Sequence, residues 1–240
     1  MHAGILIIGS LLWKTTDKRR VAWRKERLNP DGRVGVAASI YYGRKSKTGT
    51  CTYTMTFGGQ AGAGRAVLVP CTTQVDSLED LIAEAQALWA AESMKAEPGR
   101  IGCARWGCVG AGFRGAAAEL APQWAGWFRG HATPVAAVDA AGLLRVPWPR
   151  EPEASDIELM LATSTIPEPV PPTPEQIAGA WMEQGGEEYF FRNVENDIRT
   201  PDDLAIWRVL REAQAHCLNN AAYARALEKL RPEQPAAGGR

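Results

Sequence analysis

Gly9 and Ser10 interrupt an apolar run, Ile5-Leu6-Ile7-Ile8, that resumes as Leu11-Leu12-Trp13. A buried strand that stops at glycine can bend sharply or bring its backbone close to a ligand, because no Cβ stands in the way. Successive main-chain N–H groups on such a bend can gather around an anion. The Ser10 hydroxyl adds a polar group to the same space. A first strand followed by an ordinary turn accounts for the same residues, and this stretch alone leaves both readings open.

Other constellations carry less. Gly110-Ala111-Gly112-Phe113-Arg114-Gly115 fits the G-x-G-x-x-G turn that holds a pyrophosphate in dinucleotide folds. Against it stand Arg105 in the preceding segment, Pro122 in the following one, and the absence of further βα units. A hydrolytic triad needs a histidine held by a carboxylate. His2 is terminal, His131 falls in a loop, His216 falls in a C-terminal helix, and no G-x-S-x-G occurs. The carboxylate- and aromatic-rich segment at residues 187–197 reads as a docking turn between helices or as a lid.

Composition narrows the classes. The 27 basic residues balance 27 acidic ones, so net charge argues for neither nucleic acid nor membrane as a partner. Residues 14–47 are locally basic and interleaved with Trp23, Tyr41 and Tyr42, a pattern that a solvated face, an anion-attracting rim or a nucleic-acid face would share. The five cysteines form no C-x-x-C pair, which points to reduced core thiols in a cytoplasmic protein with no metal and no cofactor. The N-terminal apolar run is too short to span a bilayer, and its charges follow it, unlike a secretory signal.

These residues need a scaffold. Residues 34–42, 51–57 and 66–70 read as three strands joined by links too short for crossover helices, hence antiparallel. In the second of them Cys51, Tyr53, Met55 and Phe57 alternate with three threonines. Ser77 caps a helix with Leu78, Leu81, Ile82, Ala85, Leu88 and Trp89 on one face, ended by Pro98-Gly99. A strand at 101–109, a helix at 116–128, a hairpin at 133–148 and a strand at 157–161 follow. The proline-rich connector at 166–172 leads to helices opened by Thr173-Pro174 and Thr200-Pro201.

A strand ending in Gly9-Ser10-Leu11, then antiparallel strands, a helix and the Trp106-Gly107-Cys108-Val109 strand, resembles the γ-glutamylcyclotransferase-like (AIG2-like) family. That family carries Tyr-Gly-Ser-Leu after its first strand; here the tyrosine position is Ile8. The resemblance covers roughly residues 1–150. It implies that the amides of Gly9, Ser10 and Leu11 grip the carboxylate of a γ-glutamyl group, and that a carboxylate drives ring closure to 5-oxoproline. The family's glutamate position holds Gln123-Trp124-Ala125-Gly126, and Glu119, one helical turn earlier, is the nearest substitute. Arg44 is a candidate second anchor, since a guanidinium pairs bidentately with a carboxylate, or else a solvated loop arginine.

The expectation is an α+β protein: a mostly antiparallel β-barrel or curved sheet with packed helices, plus a C-terminal helical extension. Residues 1–163 form the γ-glutamylcyclotransferase-like domain, 164–231 a helical extension packed on it, and 232–240 a disordered tail. The partner is a small-molecule carboxylate; the competing class is a non-catalytic interaction or nucleic-acid-binding module using residues 14–47.

Overall fold

The computed structural model describes residues 1–46, 52–59, 64–93, 96–213, 228 and 230. The end of the expected hairpin loop, the glycine-rich link at 60–63, His216 and the tail at 232–240 lie outside these residues. The fold is α+β, with a mixed six-stranded sheet and a separate two-stranded one. No barrel closes among the described residues, so the expected curved sheet is the form taken.

The sheet is built around β1 (Ala3–Ile7), all five residues of which are buried. It pairs antiparallel with β5 (Gly64–Pro70) and parallel with β8 (Leu159–Thr165). A strand flanked on both sides and covered on both faces must be apolar throughout, which explains why its sequence does not alternate. β2 (Val34–Ala38) extends the sheet beyond β5. β7 (Gly107–Phe113), followed by the two-residue β6 (Gly102–Cys103), extends it beyond β8. Only the β1–β8 pairing is parallel among these described strands.

The sequence at 34–42 does not form one strand. The chain breaks at Ser39 and leaves the main sheet, so that β3 (Ile40–Lys45) pairs with β4 (Tyr53–Phe57) in the second sheet. The threonine face of β4 is not given to solvent. Thr56 is fully buried and its hydroxyl donates to Thr165 O at 3.0 Å, joining the hairpin to β8. The strand expected at 101–109 is likewise two strands with a turn at 104–106.

Gly110 and Gly112 lie inside β7, not on a turn after it. A Cβ at Gly110 would stand 2.5 Å from Val138 Cγ2, and one at Gly112 would stand 3.0 Å from Trp148. These glycines admit neighbouring side chains against the strand, and the dinucleotide reading is set aside.

α1 (Lys18–Arg27) packs on α2 (Leu78–Glu92), which lies against β7 and β8. Ser77 and Asp80 make a reciprocal capping box at the start of α2. A 3-10 segment (Gly115–Leu120) precedes α3 (Ala121–His131), so Pro122 sits in the first turn, where its missing N–H costs nothing. α4 (Pro174–Gln184) starts at a Thr173–Gln176 capping box and ends at left-handed Gly185 (φ 65°). α5 (Glu187–Glu195) is a helix in its own right. α6 (Asp203–Glu212) does not repeat the threonine cap: Thr200 instead donates its hydroxyl to buried Asp203 at 2.6 Å. No described helix is long and apolar enough to cross a membrane.

Candidate anion-binding cleft

β1 delivers the chain to Gly9 at the end of the sheet where β8 finishes and β7 begins. The bend that follows uses its carbonyls internally: Leu12 N–H donates to Gly9 O at 3.1 Å and Lys14 N–H to Ser10 O at 2.9 Å. The amides of Gly9, Ser10 and Leu11 donate to no protein acceptor among the described residues. All three residues line a cleft of about 1690 Å³. An unspent row of N–H donors at a concave surface is what an anion site requires.

The opposite wall of this cleft comes from the last turn of α2. Glu92, 19 % exposed, accepts from Arg20 Nη2 at 2.9 Å. The same guanidinium, 14 % exposed, donates through Nη1 to Ser10 Oγ at 2.9 Å and through Nε to Ala91 O at 3.1 Å. Arg20 thus fixes the bend, the end of α2 and the carboxylate in one set of charge-assisted hydrogen bonds. Burial raises the Glu92 pKa above the usual carboxylate value, and Arg20 and then Arg44 pull it part of the way back. A carboxylate so placed in a cleft is a candidate proton carrier. No described residue bonds its Oε1.

Arg44, at the end of β3, stands over the Trp106 ring with its guanidinium carbon 5.3 Å from the centroid. The guanidinium makes a long 3.4 Å hydrogen bond to Thr54 Oγ1, and no carboxylate among the described residues pairs with it. Thr163 on β8 also lines the cleft; it is 8 % exposed and its hydroxyl has no partner among the described residues. A buried hydroxyl with unspent capacity at a cleft floor is a ready contact for a polar ligand.

α5 closes the remaining side. A Cβ on Gly9 would lie 2.6 Å from the Tyr189 hydroxyl, which itself accepts from Met55 N–H at 3.2 Å. Trp13 Nε1 donates to buried Asn193 Oδ1 at 2.8 Å and its ring meets Tyr189 at 5.9 Å. Glycine at position 9 is therefore required by the approach of a pinned tyrosine.

Sequence reading thus placed Gly9, Ser10, Leu11 and Arg44 where the structure brings them together. It did not do so for Glu119. That residue is exposed on the 3-10 segment after β7, and β7 runs antiparallel to β8, so it lies at the far end of the sheet from Gly9. The five residues of β1 alone put roughly 17 Å between the two ends. Glu92, Arg20, Tyr189 and Thr163 were missed. One signal was available: Glu92 continues the stripe Leu81, Ala85, Leu88 at i+4, i+7 and i+11, an acid on a helix face otherwise buried.

Four arginines of the basic segment at 14–47, Arg19, Arg20, Arg24 and Arg27, are committed to internal contacts. Arg19 pairs with Asp17 and donates to Ser93 O, Arg24 donates to Leu11 O and Lys14 O, and Arg27 pairs with Glu84. Cys71, Cys103 and Cys108 are free thiols.

The fold and cleft define a class: an α+β protein whose central strand leads into a bend with free amides, near a half-buried, arginine-held carboxylate. Comparison with known proteins finds no matching family model, no similar curated protein and no similar solved structure.

Proposed function

We propose that this cleft binds a small γ-glutamyl or amino-acid-like carboxylate and releases 5-oxoproline from it, in the manner of γ-glutamylcyclotransferase-like proteins. One observation carries the reading: the unspent amides of Gly9, Ser10 and Leu11 share a cleft with the half-buried carboxylate of Glu92. In this reading the amides hold the substrate carboxylate, with Arg44 as a second anchor, and set the attack geometry. The substrate α-amine attacks its own γ-carbonyl carbon, forming the ring C–N bond while the γ-amide C–N bond breaks. Glu92, rather than Glu119, takes the proton from the attacking amine and returns it to the leaving one. Arg20 holds Glu92 in place, and no cofactor is needed. Free cysteines fit a cytoplasmic setting.

The test is 5-oxoproline release from a panel of γ-glutamyl amides. Glu92→Gln should lower the rate by ~10²–10⁴-fold, the usual contribution of a positioned general base. Glu119→Gln should leave it unchanged. Absence of release from every compound sinks the cyclotransfer step. The rival reading, a nucleic-acid or protein-docking surface on residues 14–47, is disfavoured because Arg20, Arg24 and Arg27 are already bound within the protein.

A further inference from the structure

Four hydroxyls on the cleft lining are spent within the protein. Ser10 Oγ accepts from Arg20, Thr54 Oγ1 donates to Arg44 O at 3.2 Å, Thr165 Oγ1 donates to Thr56 Oγ1 at 3.2 Å, and the Tyr189 hydroxyl accepts from Met55 N–H. Thr163 differs. It is more than nine-tenths buried, and its Oγ1 meets no partner among the described residues. An unpaired hydroxyl at such depth costs free energy that a ligand's polar group can offset. Strand alternation fixes where it points. Thr163 and Thr165 share the face of β8 turned to the cleft, while Ser164 between them points the other way and bonds Val135 O and Ala137 N–H. β8 runs parallel to β1 with Leu161 opposite Ile5, so Thr163 is level with Ile7, two residues before the Gly9 bend. α2, packed on β7 and β8, borders the same cleft with Leu88 and, one turn later, Glu92.

Resting on the reading of the preceding section, we infer that Thr163 is a further catalytic residue, whose hydroxyl donates to the γ-carbonyl oxygen of the substrate during ring closure. The assignment follows from the partners that the reacting atoms need. The attacking amine needs an acceptor, the part given to Glu92, and the substrate carboxylate takes the amides of the bend and Arg44. The γ-carbonyl oxygen needs a donor, and the Thr163 O–H is an unspent one on the cleft floor. As the amine nitrogen adds to the γ-carbon, the π pair of the carbonyl moves onto oxygen. It returns to the carbon–oxygen bond as the leaving C–N bond breaks. The hydroxyl keeps its proton throughout, and its hydrogen bond strengthens as charge grows on the oxygen. Such a donor acts on the transition state more than on the bound substrate, so its loss falls on kcat.

The experiment follows 5-oxoproline release from the γ-glutamyl amides by wild type, Thr163→Val and Thr163→Ser, beside urea unfolding of each. Thr163→Val keeps the shape of the side chain and should lower kcat by about 10²–10³-fold with little change in KM, the usual effect of removing one such donor. Thr163→Ser keeps the hydroxyl and should retain most of the rate. The urea midpoint of Thr163→Val should hold or rise, because the hydroxyl it lacks has no partner among the described residues. An unchanged kcat, a loss confined to KM, or a Thr163→Val protein that no longer folds overturns the inference. If wild type turns over no amide, the cyclotransfer reading fails by itself. Two ring acids that differ by one carbonyl, 3-oxocyclopentanecarboxylate and cyclopentanecarboxylate, are then titrated calorimetrically. Wild type should bind the ketone about 2–10-fold more tightly, the span of one neutral hydrogen bond, and Thr163→Val should bind the two alike. That pattern sustains a carbonyl contact at Thr163. Equal or absent binding by wild type, or a preference that survives in Thr163→Val, overturns it.

Discussion

Arg20 Nη2 donates to Glu92 Oε2 at 2.9 Å while Nη1 of the same guanidinium donates to Ser10 Oγ at 2.9 Å. One side chain from α1 therefore connects the candidate anion-binding bend to the candidate base, residues 82 positions apart in sequence (92 − 10). Burial raises the Glu92 pKa, and the charges of Arg20 and then Arg44 lower it.

That balance gives a pH prediction. A general base works only when ionised, so the acidic limb of the rate profile follows the Glu92 pKa. Removing Arg44 takes away a charge that favours the carboxylate, and the limb should move to higher pH in Arg44→Gln. A change in KM alone, with the limb unmoved, would assign Arg44 to binding and remove it from the electrostatics of Glu92.

Gly9→Ala tests the contact with α5. The new Cβ would stand 2.6 Å from the Tyr189 hydroxyl, which accepts from Met55 N–H, while the Tyr189 ring packs against Trp13. Either the bend or Tyr189 must shift by several tenths of an ångström, at a cost of about 1–3 kcal/mol. Ligand affinity should fall with the thermal midpoint, and adding Tyr189→Phe should restore part of the affinity. Wild-type affinity in Gly9→Ala would mean that the bend does not touch the ligand.

Asp203 supplies a prediction independent of function. Burial pushes its pKa up to about 7, against the hydrogen bond from Thr200 that lowers it. The folded state thus binds this proton more tightly than the unfolded chain, where the value is near 3.8. The stability it contributes is complete below that lower value and is lost as pH rises towards 7. Wild type should lose stability relative to Asp203→Asn between about pH 4 and 7, each tenfold difference in proton affinity being worth about 1.4 kcal/mol. Urea midpoints at three pH values across this window measure it, and parallel curves for the two proteins would show that Asp203 is not a buried acid.

Local pattern was sufficient for much of this protein. Ile5 to Ile7 read as a buried strand and form one, Ser77 and Thr173 read as helix caps and open helices, and the glycine after the first strand marked the bend. Each of these rests on interactions within a few residues, which sequence displays directly.

What required the tertiary structure was everything that depends on which ends of strands meet. Glu119 follows the Trp106-Gly107 strand and looked close to the bend, but antiparallel pairing of β7 with β8 carries it to the opposite end of the sheet. Parallel pairing of β1 with β8 and the packing of α1 on α2 bring Glu92 and Arg20 to Ser10 instead. The basic segment looked like a surface, yet Arg20 and Arg27 find acceptors on α2 once that helix has docked. Sequence determined the elements and the bend, because their causes are local. Strand direction and long-range packing decided which acid faces it.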